Sequence, residues 1–193
     1  IGGRATVPDY ENTIISYKTG TIEIQGGNIH AVGGDYWLRG SAVRLGGAGI
    51  GTGMYGIGGT VRILGGTVKA EGGRETGAGI GGGDNGAVDS IQIGEKNGEA
   101  PEVEASSYNV QYGAAIGSGR NAQLNLKLSC GTINIFSGNL KVKGNIGYGG
   151  IDKNGDNEQI GGSVDISEQV KLELTDGTIE PRGTTCTFGK KAF

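Results

Sequence analysis

One seven-residue phrase returns along this chain at a nearly fixed interval, and that recurrence narrows the fold more than any other feature. It reads Gly-Ala-Gly-Ile-Gly-Thr-Gly at 47–53, Gly-Ala-Gly-Ile-Gly-Gly-Gly at 77–83 and Gly-Ala-Ala-Ile-Gly-Ser-Gly at 113–119. A shorter copy, Asn-Ile-Gly-Tyr-Gly-Gly, covers 145–150. The central isoleucines fall at 50, 80, 116 and 146, in steps of 30, 36 and 30 residues. A set of hairpins does not demand the same side chain at the same place each time. A solenoid does, because equivalent residues of successive coils stack into a ladder.

A second phrase alternates with the first. Thr21-Ile-Glu-Ile-Gln-Gly-Gly leads into Asn28-Ile-His-Ala-Val-Gly-Gly, and Thr60-Val-Arg-Ile-Leu-Gly-Gly into Thr67-Val-Lys-Ala-Glu-Gly-Gly. Later copies begin at Thr132, Asn139 and Ser163. Apolar and polar residues alternate strictly within each: Ile22 and Ile24 in, Glu23 out; Val61 and Ile63 in, Arg62 out; Ile133 and Ile135 in, Asn134 out. Period two is the β signature. Composition agrees, since 43 of 193 residues are Gly, roughly three times the usual share near 7%. Each interior Gly costs a helix about 1 kcal/mol, and three Pro without a three-residue period exclude collagen.

The expectation is an all-β, right-handed parallel β-helix of about five coils in one domain spanning 1–193. The coils run 20–59, 60–89, 90–131, 132–162 and 163–183, with 1–19 as a lead-in or cap and 184–193 as a C-terminal cap. The first coil carries an extra segment near Asp35-Tyr-Trp-Leu-Arg-Gly40, and the third carries Gly94-Glu-Lys-Asn-Gly-Glu-Ala-Pro101. In solenoids such insertions form loops on one face, often the binding face.

The totals exclude some partners. Net charge is −3 and no Lys/Arg stripe forms, so nucleic acid is not expected. Apolar runs of a few residues fall far short of the ~20 that span a bilayer, so no membrane insertion is expected. The chain opens at Ile1 without Met, which reads as a processed product or an excised domain. Cys130 and Cys186 admit two readings, one disulfide or two buried thiols. Gly51-Thr-Gly-Met-Tyr-Gly56 and Gly81-Gly-Gly-Asp-Asn-Gly86 match GxGxxG, but neither opens the helix that phosphate binding needs.

Few residues carry recognisable chemistry. Asp152, Asn154, Asp156 and Glu158 place oxygen ligands at alternate positions, as a Ca²⁺ loop opens. The EF-hand's Gly and closing Glu are out of place, so the alternatives are a simpler Ca²⁺ corner and a polar turn. Asp84-Asn85-Gly86 followed by Asp89 is a weaker case. Tyr36 and Trp37 are adjacent in the first insertion, on what reads as a polar loop. A sugar's C–H face stacks on such rings while Tyr OH and Trp NH reach its hydroxyls. Tyr55, Tyr112 and Tyr148 flank the repeated Ile-Gly corners, and two readings stand: an exposed row of ligand-binding rings, or fillers of the interior. His30, the only histidine, alternates with Ile29 and reads as solvent-facing. No Ser or Cys has a His/Asp set around it. A polysaccharide lyase would draw its base from Arg62, Lys69, Lys141 or Lys143, and nothing singles one out.

The phrases "GGNIHAVGG…GAGIGTG" and "GGTVKAEGG…GAGIGGG" resemble the glycine-rich β-helical repeats of large bacterial cell-surface proteins, found mainly in Gram-positive bacteria and gut anaerobes. Some relatives are described as carbohydrate-binding or pectate-lyase-like. The resemblance covers about 20–162. It implies secretion, wall attachment or adhesion, and flanking domains in a larger chain. The expected function is a non-catalytic cell-surface or adhesion domain binding a polysaccharide or host glycan, with Ca²⁺ as the one candidate cofactor. The alternatives are a pectate-lyase-like lyase and a structural stalk or spacer.

Overall fold

The repeated strand phrases place β-branched residues at their inward positions and meet a glycine within six residues, which suits short strands and no helix. A computed structural model of the chain describes residues 1–2, 18–37, 44–122, 128–150, 161–180 and 187–188. No described residue is helical. Three parallel sheets enclose the core. The first stacks Thr21–Ile24, Thr60–Ile63, Ser90–Ile93, Thr132–Ile135, Ser163–Ile166 and Thr187–Phe188. The second stacks Asn28–Val32, Thr67–Glu71, Glu102–Ser106, Asn139–Lys143 and Lys171–Thr175. The third consists of two-residue strands at Ile50–Gly51, Ile80–Gly81, Ile116–Gly117, Ile146–Gly147 and Ile179–Glu180. Every pairing within these sheets joins one coil to the next, so the molecule is a parallel β-solenoid of about four turns. The five expected coils correspond to the five rungs of the second and third sheets, and incomplete end rungs make up the difference.

The isoleucine ladder forms in register. Ile50 pairs with Ile80, Ile80 with Ile116 and Ile116 with Ile146, all fully buried. Ile179 continues the ladder where the flanking glycines of the phrase are gone. Four further inward columns complete one continuous core, among them Ile24–Ile63–Ile93–Ile135–Ile166 and Ala31–Ala70–Ala105–Val142–Leu174. Each fully buried Ile, Val or Leu contributes about 1.5–3 kcal/mol of transfer free energy.

The glycine after each ladder isoleucine is required twice over. Gly51, Gly81, Gly117 and Gly147 have φ of 138°, 131°, 138° and 114°, a region that L side chains avoid. A Cβ on Gly81 would also lie 1.9 Å from the Gly117 carbonyl oxygen.

Three features differ from the sequence expectation. The first insertion is an antiparallel hairpin, Asp35–Trp37 against Arg44–Gly46, rather than a loop. The two insertions do not share a face. The hairpin lies between the second and third sheets, whereas 94–101 lies between the first and second. Gly2 bridges Gly51, and the Ile1 ammonium donates to the Gly49 carbonyl at 2.7 Å. The first two residues thus extend the third sheet; residues 3–17 lie outside the described residues.

Candidate functional site

Each coil turns a corner between the second and third sheets, and the exposed aromatic residues among those described collect there. In the first coil the hairpin sets Tyr36 opposite Leu45 and Trp37 opposite Arg44. Trp37 is 64% exposed and Tyr36 39%. The next coil presents Arg74 and Glu75 at the same corner, and the third presents Tyr108, 64% exposed. Polar contacts tie the three coils together. The Asp35 carboxylate accepts the Arg74 backbone N–H at 2.5 Å and lies 3.6 Å from Arg74 Nε. The Arg44 backbone N–H donates to Glu75 Oε2 at 3.3 Å. The Arg74 guanidinium sits 5.8 Å from the centre of the Tyr108 ring, within cation–π range. Arg74 therefore links the base of the hairpin to Tyr108 two coils away. The faces of aromatic rings suit the apolar side of a sugar ring.

Tyr108 does not stand out in the sequence by type, but it does by place. Val32 and Glu71 end their strands and are followed by Gly33-Gly34 and Gly72-Gly73. Ser106 ends the equivalent strand and is followed by Ser107-Tyr108. A large ring where the two preceding coils carry Gly-Gly is the signal.

The flanking tyrosines form no exposed row. Tyr55 and Tyr148 are buried, at 9% and 5% exposure. Tyr148 belongs to the hydrophobic core, and burial, with the Cys130 thiolate adding to it, pushes its phenol up to about 12. Interior volume explains Tyr148. The Ile-Gly corner leaves a gap that a ring fills, as the second of the two sequence readings has it. Tyr112 is half-buried under the Arg120 guanidinium, whose carbon lies 5.7 Å from the ring centre.

Asp84 is not part of a cation site. It is fully buried and accepts from Arg120 Nε at 2.9 Å and from the Asn85 amide at 2.6 Å. Burial pushes its carboxyl above the usual range, while Arg120 pulls it the other way. Asn85, at φ 51°, takes up the left-handed corner that Tyr55, at φ 58°, occupies one coil earlier. Its Oδ1 accepts the Ala122 N–H at 2.7 Å. The network joins the wall of one coil to the next.

Two of the four outward cations, Arg62 and Lys69, are engaged. Arg62 meets Glu23 at 2.5 Å and Gln92 at 3.3 Å. Lys69 Nζ lies 3.0 Å from Glu71 and 3.8 Å from Glu104. The hydrogen bond to Glu71, then the charges of Glu71 and Glu104, raise the Lys69 amine, the opposite of what a general base needs. His30 is exposed, as its alternation with Ile29 implies, and its Nε2 lies 2.8 Å from Glu71 Oε1. His30 first and Lys69 second hold the Glu71 carboxyl below its ordinary value.

Asp152, Asn154, Asp156 and Glu158 lie outside the described residues, as does Cys186; Cys130 is buried. Among the described residues no group of three or more His, Cys, Asp or Glu is placed to hold a metal ion. No described helix is long and apolar enough to cross a membrane. The class is thus a parallel β-solenoid with an aromatic corner. Compared with protein-family models, curated proteins and solved structures, the chain matches none.

Proposed function

We propose that this chain is a non-catalytic binding module of a bacterial cell-surface protein. It holds a polysaccharide or host glycan on the corner made by Tyr36, Trp37, Arg74 and Tyr108. The observation that carries this reading is the Asp35–Arg74–Tyr108 chain of contacts, which fixes exposed aromatic residues from the first and third coils at one corner. Flanking domains and wall attachment belong to the same proposal, and Ca²⁺ at Asp152–Glu158 belongs to it on sequence spacing alone. The ion pairs of Arg62 and Lys69 speak against either as a lyase base, which must be neutral near its working pH. Lys69 is held protonated instead.

A glycan array run with the wild type, Trp37→Ala and Tyr108→Ala, followed by ultraviolet detection of unsaturated uronate on acidic hits, tests the reading. Retention without product, lost in both variants while the melting temperature stays within about 2 °C, is expected, because exposed positions rarely cost stability. Product formation would replace the binding module with a lyase. Silence across the array would leave a stalk or a protein-binding spacer.

A further inference from the structure

The outward face of the second sheet takes no part in that corner, yet its charges are ordered. Half of it, on the Thr67–Lys69 side, forms an open trough of about 880 Å³ across four successive rungs, with Glu168–Val170 lining one end. The central column reads Lys69, Glu104, Lys141, Glu173, in register, so the sign alternates at each step of about 4.8 Å. The column on one side reads Thr67, Glu102, Asn139, Lys171, and on the other Glu71, Ser106, Lys143, Thr175. Glu104, Lys141 and Glu173 are exposed, and Lys69 is partly so.

We propose that this face is a two-fold interface between copies of this chain. A two-fold axis parallel to the strands, midway between Glu102–Ser106 and Asn139–Lys143, reverses the order of rungs and keeps the position along each strand. It sets Lys69 against the partner's Glu173 and Glu104 against the partner's Lys141. The flanking columns then oppose Thr67 to Lys171, Glu102 to Asn139, Glu71 to Thr175 and Ser106 to Lys143. No like charges meet. Two other two-fold arrangements bring like charges together. An axis along the stack puts Lys69 on Lys69 and Glu104 on Glu104. An axis through the Glu102–Ser106 rung puts Lys69 on Lys141 and Glu104 on itself. Like charges directly opposite destabilise a register; an axis midway between Thr67–Glu71 and Glu102–Ser106 also avoids them but makes only the two Lys69–Glu104 pairs, half as many as the proposed axis. Such an interface is isologous and closes at two copies.

Its strength follows from its size. Four strands of five residues, about 4.8 Å apart and rising about 3.3 Å per residue, give a flat footprint of roughly 300 Å² per copy. A standard interface uses about 800 Å² per partner. The dimer is therefore weak, held by charge and sensitive to salt. Ion pairs within one copy, such as Lys69 with Glu104 at 3.8 Å, continue across the interface as one alternating network.

Sedimentation velocity over a concentration series tests this. Self-association is expected at low salt and its loss near 1 M salt, where the screening length falls to about 3 Å. Lys69→Glu alone and Glu173→Lys alone should each sediment as monomers. An equal mixture of the two should regain the dimer, because every opposed pair is then restored between unlike copies. Glu104→Lys mixed with Lys141→Glu provides a second, independent swap. Recovery in either mixture also shows that the variants are folded. A wild type that stays monomeric at low salt would overturn the proposal. So would a dimer that both single variants keep, or failure of both mixtures to recover.

Discussion

Replacing Gly117 by alanine probes the solenoid where its coils approach most closely. A Cβ at Gly117 would stand 1.9 Å from the Gly147 carbonyl oxygen. Real Cβ atoms essentially never come under 3.0 Å, so the coils must part by about 1 Å there. The φ of 138° adds about 1–3 kcal/mol for a residue with a side chain. Parting the coils weakens Ser118 N–H to Gly147 O at 3.0 Å and Gly82 N–H to Gly117 O at 2.8 Å, at about 1 kcal/mol each. The loss comes to about 3–5 kcal/mol. At 2–4 °C per kcal/mol for a chain of this length, the melting temperature should fall by roughly 6–20 °C. Gly34→Ala is the control: no atom lies within 4 Å of its Cβ position, and its effect should stay within about 1 kcal/mol. Thermal melts followed by circular dichroism measure both, and hydrogen exchange at Ile116–Ser118 locates the damage. A Gly117→Ala protein melting within about 3 °C of the control would refute the stacking geometry.

The buried ion pair makes a second prediction. Arg120→Met strands the fully buried Asp84 and should cost about 3–5 kcal/mol in urea denaturation. Adding Asp84→Met should recover most of it, because Met54 fills the same place one coil earlier. Glu71 sets a pH dependence. Its folded carboxyl titrates below the ordinary 4.5, so its contribution is present above that value and is lost as pH falls through the folded one. Glu71→Gln should flatten the acid limb of melting temperature against pH; an unchanged limb would remove the His30–Glu71–Lys69 cluster from the account. Calcium at Asp152–Glu158 predicts that a chelator lowers the melting temperature and that added Ca²⁺ restores it, since a ligand of the folded state alone stabilises by mass action. No shift in differential scanning calorimetry would remove those residues.

Much of the scaffold was legible because a solenoid writes its contacts as sequence intervals. Steps of 30, 36 and 30 residues placed Ile50, Ile80, Ile116 and Ile146 in one column before any coordinate was known, and the structure pairs them so. Strict alternation likewise told Ile29 from His30. Ile179 escaped because its corner keeps the isoleucine but not the glycines around it. The hairpin escaped because three-residue strands in an insertion carry too short a pattern to show a period.

The sequence by itself determined the local conformation and the coil period, because alternation and Gly corners act on neighbours and repeat in every coil. Tertiary structure decided which unique residues meet. The intervals put Asp35 level with Arg74, 39 residues on as Thr67 is from Asn28, and Asp84 level with Arg120, 36 on as Ile116 is from Ile80, but they do not say that the side chains turn to each other or that Arg74 reaches Tyr108. It also decided which tyrosines face water. Tyr55 and Tyr148 sit beside the same motif as a surface ring would, yet both are buried, Tyr148 in the interior left by its coil.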